Sequence, residues 1–294
     1  MTDGAFSKSY RGRFAPSPSG PLHLGSLLAA LASWADARAV GGNWLIRMED
    51  LDPPREQPGA DGLILDLLEA AGLVSDEAVL RQSTRQPAYG AALVRLLQSG
   101  MAFECRCSRS DLALAGGIHR GACVAGADPR RPAAIRLRVP DAEIGIDDRV
   151  QGHYRQNLLR DVGDFVLRRA DGPYAYQLAA VVDDAHQGIT DVVRGSDLLE
   201  STPRQVYLQR CLGLSAPRYA HIPVLVGADG HKLSKQNLAP AVAASQIAAL
   251  LPDIAHLLGQ DPPEGVGLQA QLAAIARNWR IDRVPRQMTI QGIL

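Results

Sequence analysis

The pattern of hydrophobic and polar positions in the first part of the chain predicts strands and helices that alternate. Leu27, Leu31 and Trp34 recur at helical spacing, and Ser26 stands where a helix N-cap is expected. The glycine pair at 41–42 ends that helix. In chain order the pattern predicts a strand over 10–15, a helix over 26–40, a strand over 44–50 and a helix over 61–71. This succession is typical of a parallel α/β sheet.

The middle of the chain departs from this alternation, and we interpret it as an insertion. It contains a predicted helix over 88–98, a predicted strand over 135–139 and a predicted hairpin over 165–178 with its turn at 170–173. Alternation then resumes with a strand over 188–194, a helix over 204–212 and a strand over 221–226. From Pro240 the chain is rich in Ala and Leu, which predicts a helical C-terminal region.

Composition and charge limit the classes of protein that fit this pattern. With 294 residues, of which 46% are hydrophobic, the chain can bury a sizeable core. Its 31 basic and 31 acidic residues cancel, which argues against a nucleic-acid binder that depends on bulk charge. The N-terminus does not read as a secretory leader, and the longest apolar runs are far shorter than the ~20 residues that a membrane helix needs. We therefore expect a cytoplasmic protein without a membrane segment.

The segment RFAPSPSGPLHLGS, residues 13–26, joins the first predicted strand to the first predicted helix. A glycine-bearing loop in this position can direct backbone N–H groups and the helix N-terminus toward an anion. Gly20 and Gly25 have no Cβ, so a base or a phosphate can approach the chain, and His23 supplies a movable donor. Taken alone, the segment fits a rigid turn with an incidental histidine equally well.

A second candidate segment follows the strand predicted over 221–226. Lys232 and Lys235 flank Ser234 in a loop that a glycine precedes, and two lysines there can neutralise charge on a polyphosphate. An isolated Lys-x-x-Lys motif is by itself also compatible with a solvated basic loop.

Three of the four cysteines and one histidine fall within one short segment of the predicted insertion. Cys105, Cys107, His119 and Cys123 have the number and type of ligands that a closed tetrahedral zinc site requires. We expect a structural Zn²⁺ here, and three reduced thiols without metal are the alternative. Cys211 lies apart in a predicted helix, where we expect it to be a small buried hydrophobic residue.

The two candidate loops together resemble the HIGH and KMSKS signatures of class I aminoacyl-tRNA synthetases. Within that class, five segments are similar to the glutamate-specific branch: FAPSPSGPLHLG, RMEDLDPPRE, AYQLAAVVDD, VVRGSDLLESTPRQ and HKLSKQN. These segments span residues 11–240. The forms EDLDPPR and KLSKQN, with a chain that ends soon after the lysine loop, resemble the short queuosine-modifying paralogues of glutamyl-tRNA synthetase.

This resemblance implies a fold and an organisation. The expected fold is α/β, of the class I synthetase-type Rossmann nucleotide-binding kind, with a zinc-containing insertion and a short helical C-terminal region. The two halves of the catalytic domain are expected over 1–100 and 186–240, the connective insertion with the zinc site and hairpin over 101–185, and the helical region over 241–294.

The resemblance also implies an activity and its partners. The paralogues activate L-glutamate with ATP and Mg²⁺ without tRNA, and then transfer the glutamyl group to queuosine at the wobble position of tRNA(Asp). The expected partners are L-glutamate, ATP and the anticodon loop of tRNA(Asp), and we expect a monomer. The nearest alternative is a truncated glutamyl-tRNA synthetase that charges the tRNA 3′ end. A small-molecule adenylyltransferase and a non-catalytic RNA-binding paralogue are further alternatives.

A glutamate site needs cations for two carboxylates and an anion for one ammonium. Arg13 and Arg194 suit the carboxylates, Glu49 suits the ammonium, and Tyr176 adds a hydroxyl donor. In the resembled family the matching positions line the glutamate site, and each residue alone is also compatible with a surface ion pair or a packed ring. The predicted glutamate-binding residues are Arg13, Phe14, Ala15, Pro16, Ser17, Glu49, Tyr176 and Arg194.

The predicted catalytic residues are His23 and Lys235, which are expected to offset phosphate charge. Ser26 stands where the wider class has a second histidine, so His23 carries that contact alone. Many members of the family have tyrosine where His119 stands, which leaves the fourth zinc ligand open. Asp183 and Asp184 either face the site or end an element. The predicted ATP-binding residues are Pro16, Gly20, His23, Gly25, Ser26, Lys232, Ser234 and Lys235.

Overall fold

A computed structural model describes residues 9–124, 128–227, 230, 232 and 240–292. The strands are β1 Arg11–Phe14, β2 Asn43–Met48, β3 Leu80–Arg81, β4 Ala102–Cys105, β5 Ala134–Leu137, β6 Glu143–Asp148, β7 Gly152–Asn157, β8 Phe165–Arg168, β9 Asp191–Gly195, β10 Arg218–Ile222, β11 Val224–Val226 and β12 Thr289–Gln291. The α-helices are α1 Leu24–Arg38, α2 Ala60–Ala70, α3 Gln86–Gln98, α4 Arg109–Leu114, α5 Tyr176–His186, α6 Thr202–Cys211, α7 Ile247–Leu257 and α8 Leu268–Asn278.

The part of the fold that contains β1, β2, β3, β9 and β10 is built from parallel strands, as the alternating pattern predicts. β1, β2 and β3 form one parallel sheet, and β9 pairs in parallel with β10. The amide of Thr190 donates to the carbonyl of Arg11 at 3.0 Å, which places the start of β9 beside β1. Residues at the carboxyl ends of β1, β2 and β9 therefore face one common edge, where ligands bind in α/β sheets.

The N-cap of helix α1 is His23, so the N-cap predicted at Ser26, three residues later, is wrong. His23 has an extended backbone with φ −101° and ψ 171°, and its Nδ1 accepts from the Ser26 amide at 3.3 Å. Ser26 lies instead in the first turn. An imidazole nitrogen supplies the capping acceptor that a serine hydroxyl supplies in most helices.

The insertion is antiparallel, and its longest hairpin is one that was not predicted. β4, β5 and β8 form an antiparallel sheet, and β6 pairs with β7 as a hairpin. The hairpin predicted over 165–178 is present only in a short form: an antiparallel bridge joins Arg168 to Tyr174 around the predicted turn at 170–173, but the second arm ends where α5 begins at Tyr176. The alternation of exposed and buried positions in β6 is the signal that identifies the longer hairpin.

Helix α1 lies in the main hydrophobic core. Leu27, Leu31 and Trp34 are buried, and α7 and α8 of the C-terminal region pack against the same core. The indole of Trp279 donates to Asp36 of α1 at 3.0 Å, which fixes the C-terminal region to α1. Among the described helices, none is long and apolar enough to cross a membrane.

Candidate active site

A cleft of about 670 Å³ opens at the carboxyl ends of β1, β2 and β9. The structure brings most of the predicted site residues into its wall: Arg13, Phe14, Ala15, Pro16, Ser17, His23, Gly25, Ser26, Glu49, Tyr176, Arg194 and Lys232. Gly20 does not line the cleft, although its positive φ of 130° shapes the loop that does. Ser234 and Lys235 lie outside the described residues.

The loop after β1 and the first turn of α1 form one end of the cleft. Both imidazole nitrogens of His23 lie near Ser26, with Nδ1 3.3 Å from its amide nitrogen and Nε2 3.1 Å from its hydroxyl. A Cβ at Gly25 would stand 3.1 Å from Cε1 of His23, so the glycine makes room for the ring. This end has the N-terminus of a helix, which attracts anions.

Arg13, at the end of the cleft opposite His23, is buried and is held by Asp184. The sequence alone did not show whether Asp184 faces the site or ends an element. Nε of Arg13 donates to Oδ1 of Asp184 at 3.1 Å. The same oxygen accepts from Nη2 of Arg47 at 2.8 Å. Asp184 lies within α5 and contacts Arg13, which lines the cleft, whereas the adjacent Asp183 accepts from Tyr89 at 2.6 Å. Of the pair, Asp184 alone therefore supports the candidate site.

Charged neighbours and burial compete at this end of the cleft. Burial acts to raise the pKa of the Asp184 carboxyl, but the guanidinium groups of Arg13 and Arg47 outweigh it and hold that pKa below its usual range. At Glu49 burial wins, and it raises the pKa of the carboxyl although Arg47 lies 3.7 Å away. A cation beside Glu49 would therefore stabilise its ionised form.

Arg194 is only 5% exposed, and its guanidinium is held by neutral groups. Its Nε donates to Nε2 of His221 at 3.0 Å, Nη2 donates to Thr202 at 2.8 Å, and Nη1 donates to the Tyr176 hydroxyl at 3.2 Å. Across the described part of the chain, no carboxylate oxygen lies within the 4.0 Å of an ion pair with Arg194. A buried guanidinium in this state is suited to bind an anionic ligand.

His221 lies behind Arg194 and is fully buried. Its Nδ1 is 2.6 Å from Oδ2 of Asp148. Burial lowers the pKa of His221 to about 4, with Arg194 acting in the same direction and Asp148 opposing. The imidazole is thus neutral near pH 7. Sequence reasoning found no pattern at His221, and it did not select Arg47 or Asp148 either.

Lys232 lines the open side of the cleft near the α1 end. Its Nζ lies 2.5 Å from Oδ2 of Asp197, and its side chain is 46% exposed. An exposed pair of this kind contributes little to stability and can exchange partners when an anion arrives.

The four predicted metal ligands come together. One ligand atom each from Cys105, Cys107, His119 and Cys123 lie within 4.8 Å of one another. His119 is buried, its Nδ1 is 2.9 Å from Asp164, and its Nε2 has no hydrogen-bond partner among the described residues. A carboxylate on one ring nitrogen with the other nitrogen free is typical of a zinc-ligating histidine. The donor set and this unsatisfied nitrogen fit Zn²⁺.

Comparison with known proteins defines the class. The family described as tRNA synthetases class I (E and Q), catalytic domain, matches residues 9–251. The chain belongs to this family, and it is an enzyme of the ligase type. The α/β fold expected from the resemblance is thereby confirmed.

Named relatives show which branch of the class I synthetases this chain resembles. A Pseudomonas aeruginosa protein named "Glutamyl-Q tRNA(Asp) synthetase" is 56% identical over 287 residues, which cover 97% of this chain and 98% of that protein. A Pseudomonas fluorescens protein of the same name is 55% identical over 287 residues, covering 97% and 96%. These names confirm the resemblance to the queuosine-modifying paralogues.

Solved structures show the same fold in a longer enzyme. A glutamate tRNA ligase from Elizabethkingia meningosepticum, solved in complex with its amino acid, has a TM-score of 0.81 and 25% identity, and the match covers 97% of this chain and 67% of that one. Glutamate-tRNA synthetase from Elizabethkingia anophelis gives a TM-score of 0.82 with 25% identity, over 97% and 68%.

Proposed function

We propose that this enzyme activates L-glutamate with ATP to glutamyl-adenylate without tRNA, and then transfers the glutamyl group to queuosine at the wobble position of tRNA(Asp). The observation that carries the first step is the cleft itself. It joins two buried arginines and a glutamate at one end to a histidine-capped helix N-terminus at the other. The acceptor is inferred from the names of the relatives.

Glutamate recognition is assigned to the buried end of the cleft. Arg13 and Arg194 bind the two carboxylates through guanidinium nitrogens, and Glu49 accepts from the ammonium. Tyr176 adds a hydroxyl beside Arg194, as their 3.2 Å hydrogen bond supports. An ammonium at Glu49 also compensates the charge that burial disfavours.

ATP is assigned to the loop and the first turn of α1. His23 and the Ser26 hydroxyl are assigned to the phosphates, and Gly25 leaves room beside them because it has no Cβ. Lys232 supplies positive charge from the cleft wall, and the same role is proposed for Lys235. The glutamate carboxylate is ionised at neutral pH, so it attacks the α-phosphorus without a general base while the bond to pyrophosphate breaks. Mg²⁺ bound with ATP would supply further positive charge for the departing pyrophosphate. Orientation and charge stabilisation therefore account for this step.

In the second step, a hydroxyl oxygen of queuosine bonds to the activated carbonyl carbon, the bond from that carbon to the phosphate oxygen breaks, and AMP leaves while the hydroxyl proton passes to the departing phosphate or to solvent. The anticodon loop enters the active site, since it carries the acceptor. Cys105, Cys107, His119 and Cys123 hold a structural Zn²⁺ that cross-links the insertion near this RNA. We propose that the enzyme acts as a cytoplasmic monomer.

The test of the first step is pyrophosphate exchange into ATP by the purified protein without tRNA. Glutamate should support exchange, whereas aspartate and glutamine should not. Arg194→Lys keeps the charge but loses the planar fork, so it should raise the KM for glutamate at least tenfold. Absence of exchange until a tRNA is added would contradict the proposal and favour an ordinary glutamyl-tRNA synthetase.

The acceptor is tested by product analysis. Purified protein is incubated with labelled glutamate and with tRNA(Asp) that either carries or lacks queuosine. Nuclease digestion should release the label on the wobble nucleoside of the queuosine-bearing tRNA alone. Label on the terminal adenosine would show charging of the 3′ end and would refute this step.

A further inference from the structure

We infer that His221, held in one tautomer by Asp148, is the positioning residue that orients Arg194 for the substrate carboxylate without neutralising its charge. The inference rests on the proposed function, because it concerns the arginine assigned to glutamate. Neither His221 nor Asp148 lines the cleft. Both act through Arg194, and neither is a catalytic residue.

The contacts of Arg194 determine which edge of its guanidinium remains for a ligand. Nε donates to His221 at 3.0 Å and Nη2 donates to Thr202 at 2.8 Å, so both acceptors lie along the same edge of the guanidinium. Nη1 points to Tyr176, a residue of the cleft wall. The ring of Tyr219 lies under the guanidinium at 5.4 Å. The guanidinium of Arg194 is therefore held along the edge formed by Nε and Nη2 and on the face that the Tyr219 ring covers.

The chemical type of these acceptors matters as much as their position. A carboxylate at position 221 would orient Arg194 equally well, but it would compensate the positive charge that a substrate carboxylate needs. A neutral imidazole and a hydroxyl accept hydrogen bonds and leave that charge available. Neutral acceptors thus combine a fixed orientation with the full charge of the guanidinium.

This arrangement requires the lone pair of His221 on Nε2, because Nε of arginine is always a donor. The proton must then sit on Nδ1, which faces Oδ2 of Asp148 at 2.6 Å. The other oxygen, Oδ1, accepts three backbone amides, from Val150 at 3.0 Å, Gln151 at 2.8 Å and His221 at 3.0 Å. Asp148, at the end of β6, is thereby anchored and imposes the tautomer.

The decisive variant is Asp148→Asn. The three amides keep the side-chain oxygen in the Oδ1 position, so the new NH₂ group must face Nδ1 of His221. The imidazole then accepts at Nδ1 and carries its proton on Nε2, where it meets the Nε–H of Arg194. The Nε2 proton can be donated to the Thr202 hydroxyl at 3.1 Å, but the Nε–H of Arg194 then has no acceptor at His221, and the guanidinium loses this anchor. The variant removes one oxygen but preserves the shape of the side chain.

Two measurements follow on this variant and on Asp36→Asn. Asp36 is a matched control, since it is also buried and accepts from Arg149 at 2.6 Å far from the cleft. ¹⁵N NMR of histidine-labelled protein reports the tautomer of His221 directly. Pyrophosphate exchange gives the KM for glutamate and for ATP separately.

We expect the His221 tautomer to invert in Asp148→Asn, the KM for glutamate to rise at least tenfold, and the KM for ATP to stay within twofold. Asp36→Asn should change neither KM. An inverted tautomer with an unchanged KM for glutamate would overturn the inference, as would an equal rise of both KM values in both variants. Lack of any exchange by the unaltered protein would instead refute the proposed function. The NMR spectra would still show whether Asp148 sets the tautomer of His221, because they do not depend on activity.

A second pair of variants serves if Asp148→Asn does not fold. His221→Gln keeps an acceptor near the position of Nε2, whereas His221→Leu keeps none. The KM for glutamate should rise far more in His221→Leu than in His221→Gln. Equal KM values for the two variants would overturn the inference.

Discussion

Replacement of Asp184 by asparagine tests whether a shared carboxylate holds the glutamate end of the cleft. Asp184 is 5% exposed and accepts from two guanidiniums, Arg13 at 3.1 Å and Arg47 at 2.8 Å. Asparagine has nearly the same shape but carries no charge, and its NH₂ group cannot accept. Asp184→Asn therefore leaves two buried cations without their common counter-ion.

The expected cost follows from these contacts. Removal of one member of a buried ion pair lowers stability by about 3–5 kcal/mol, because a buried charge remains uncompensated. Glu49, 3.7 Å from Arg47, compensates part of that charge. We therefore expect a loss near the lower end, about 3 kcal/mol in the free energy of unfolding. Arg13 also loses its anchor, and a tenfold rise in the KM for glutamate corresponds to about 1.4 kcal/mol.

The adjacent Asp183 provides a matched control. It is fully buried in the same helix and accepts from Gln82 at 2.9 Å, Tyr89 at 2.6 Å and Arg85 at 3.2 Å. None of these three partners lines the candidate cleft. Asp183→Asn should therefore destabilise the protein by a similar amount but leave the KM for glutamate unchanged.

Urea unfolding and glutamate-dependent pyrophosphate exchange measure the two effects. Exchange is assayed at a temperature where both variants remain folded, as circular dichroism verifies. If Asp183→Asn raised the KM for glutamate as much as Asp184→Asn, the assigned role of Asp184 would be refuted and general loosening of α5 would explain both.

Three further predictions concern pH, metal and backbone. His221 has a folded pKa of about 4 against an ordinary 6.5, so between these values the unfolded chain binds a proton that the folded protein does not. The free energy of unfolding should therefore fall by about 3 kcal/mol as the pH drops from 6.5 to 4. In His221→Gln, the free energy of unfolding measured with urea should depend less steeply on pH over this range. Elemental analysis should find one zinc per chain, and Asp164→Asn should weaken zinc binding about 10–100-fold in a chelator competition. Gly259→Ala should lower the melting temperature much more than Gly41→Ala: both have positive φ, but only at Gly259 would a Cβ stand 2.2 Å from a carbonyl, that of Arg283.

Features set by local sequence were predictable. The apolar spacing of α1 and the Pro/Gly loop before it place a strand, a turn and a helix in order, and the structure confirms them. The cysteine spacing brings four ligand atoms together because they belong to one short segment. The error at the start of α1 has a local cause as well, since a histidine cap is not among the common N-cap signals.

Features set by long-range contacts were not predictable. Asp184 meets Arg13 across 171 residues and Arg47 across 137 residues, and Asp148 meets His221 across 73 residues. Asp148 and His221 lie in no motif, and the motifs that contain Arg13, Arg47 and Asp184 do not indicate that these three side chains meet. Their roles come from burial, which makes an unpaired charge costly and so requires a partner in space.

The charges around the cleft explain why its two buried arginines, Arg13 and Arg194, are held differently. Asp184 is shared by Arg13 and Arg47, so one negative charge orients Arg13 without cancelling it. Arg194 keeps its charge by the other route, through neutral acceptors. With Arg13, Arg47 and Arg194 positive and with Glu49 and Asp184 negative, the cluster carries a net charge of +1. Glutamate, with two carboxylates and one ammonium, carries −1 at neutral pH. The proposed substrate would thus complete the charge balance of the buried cluster.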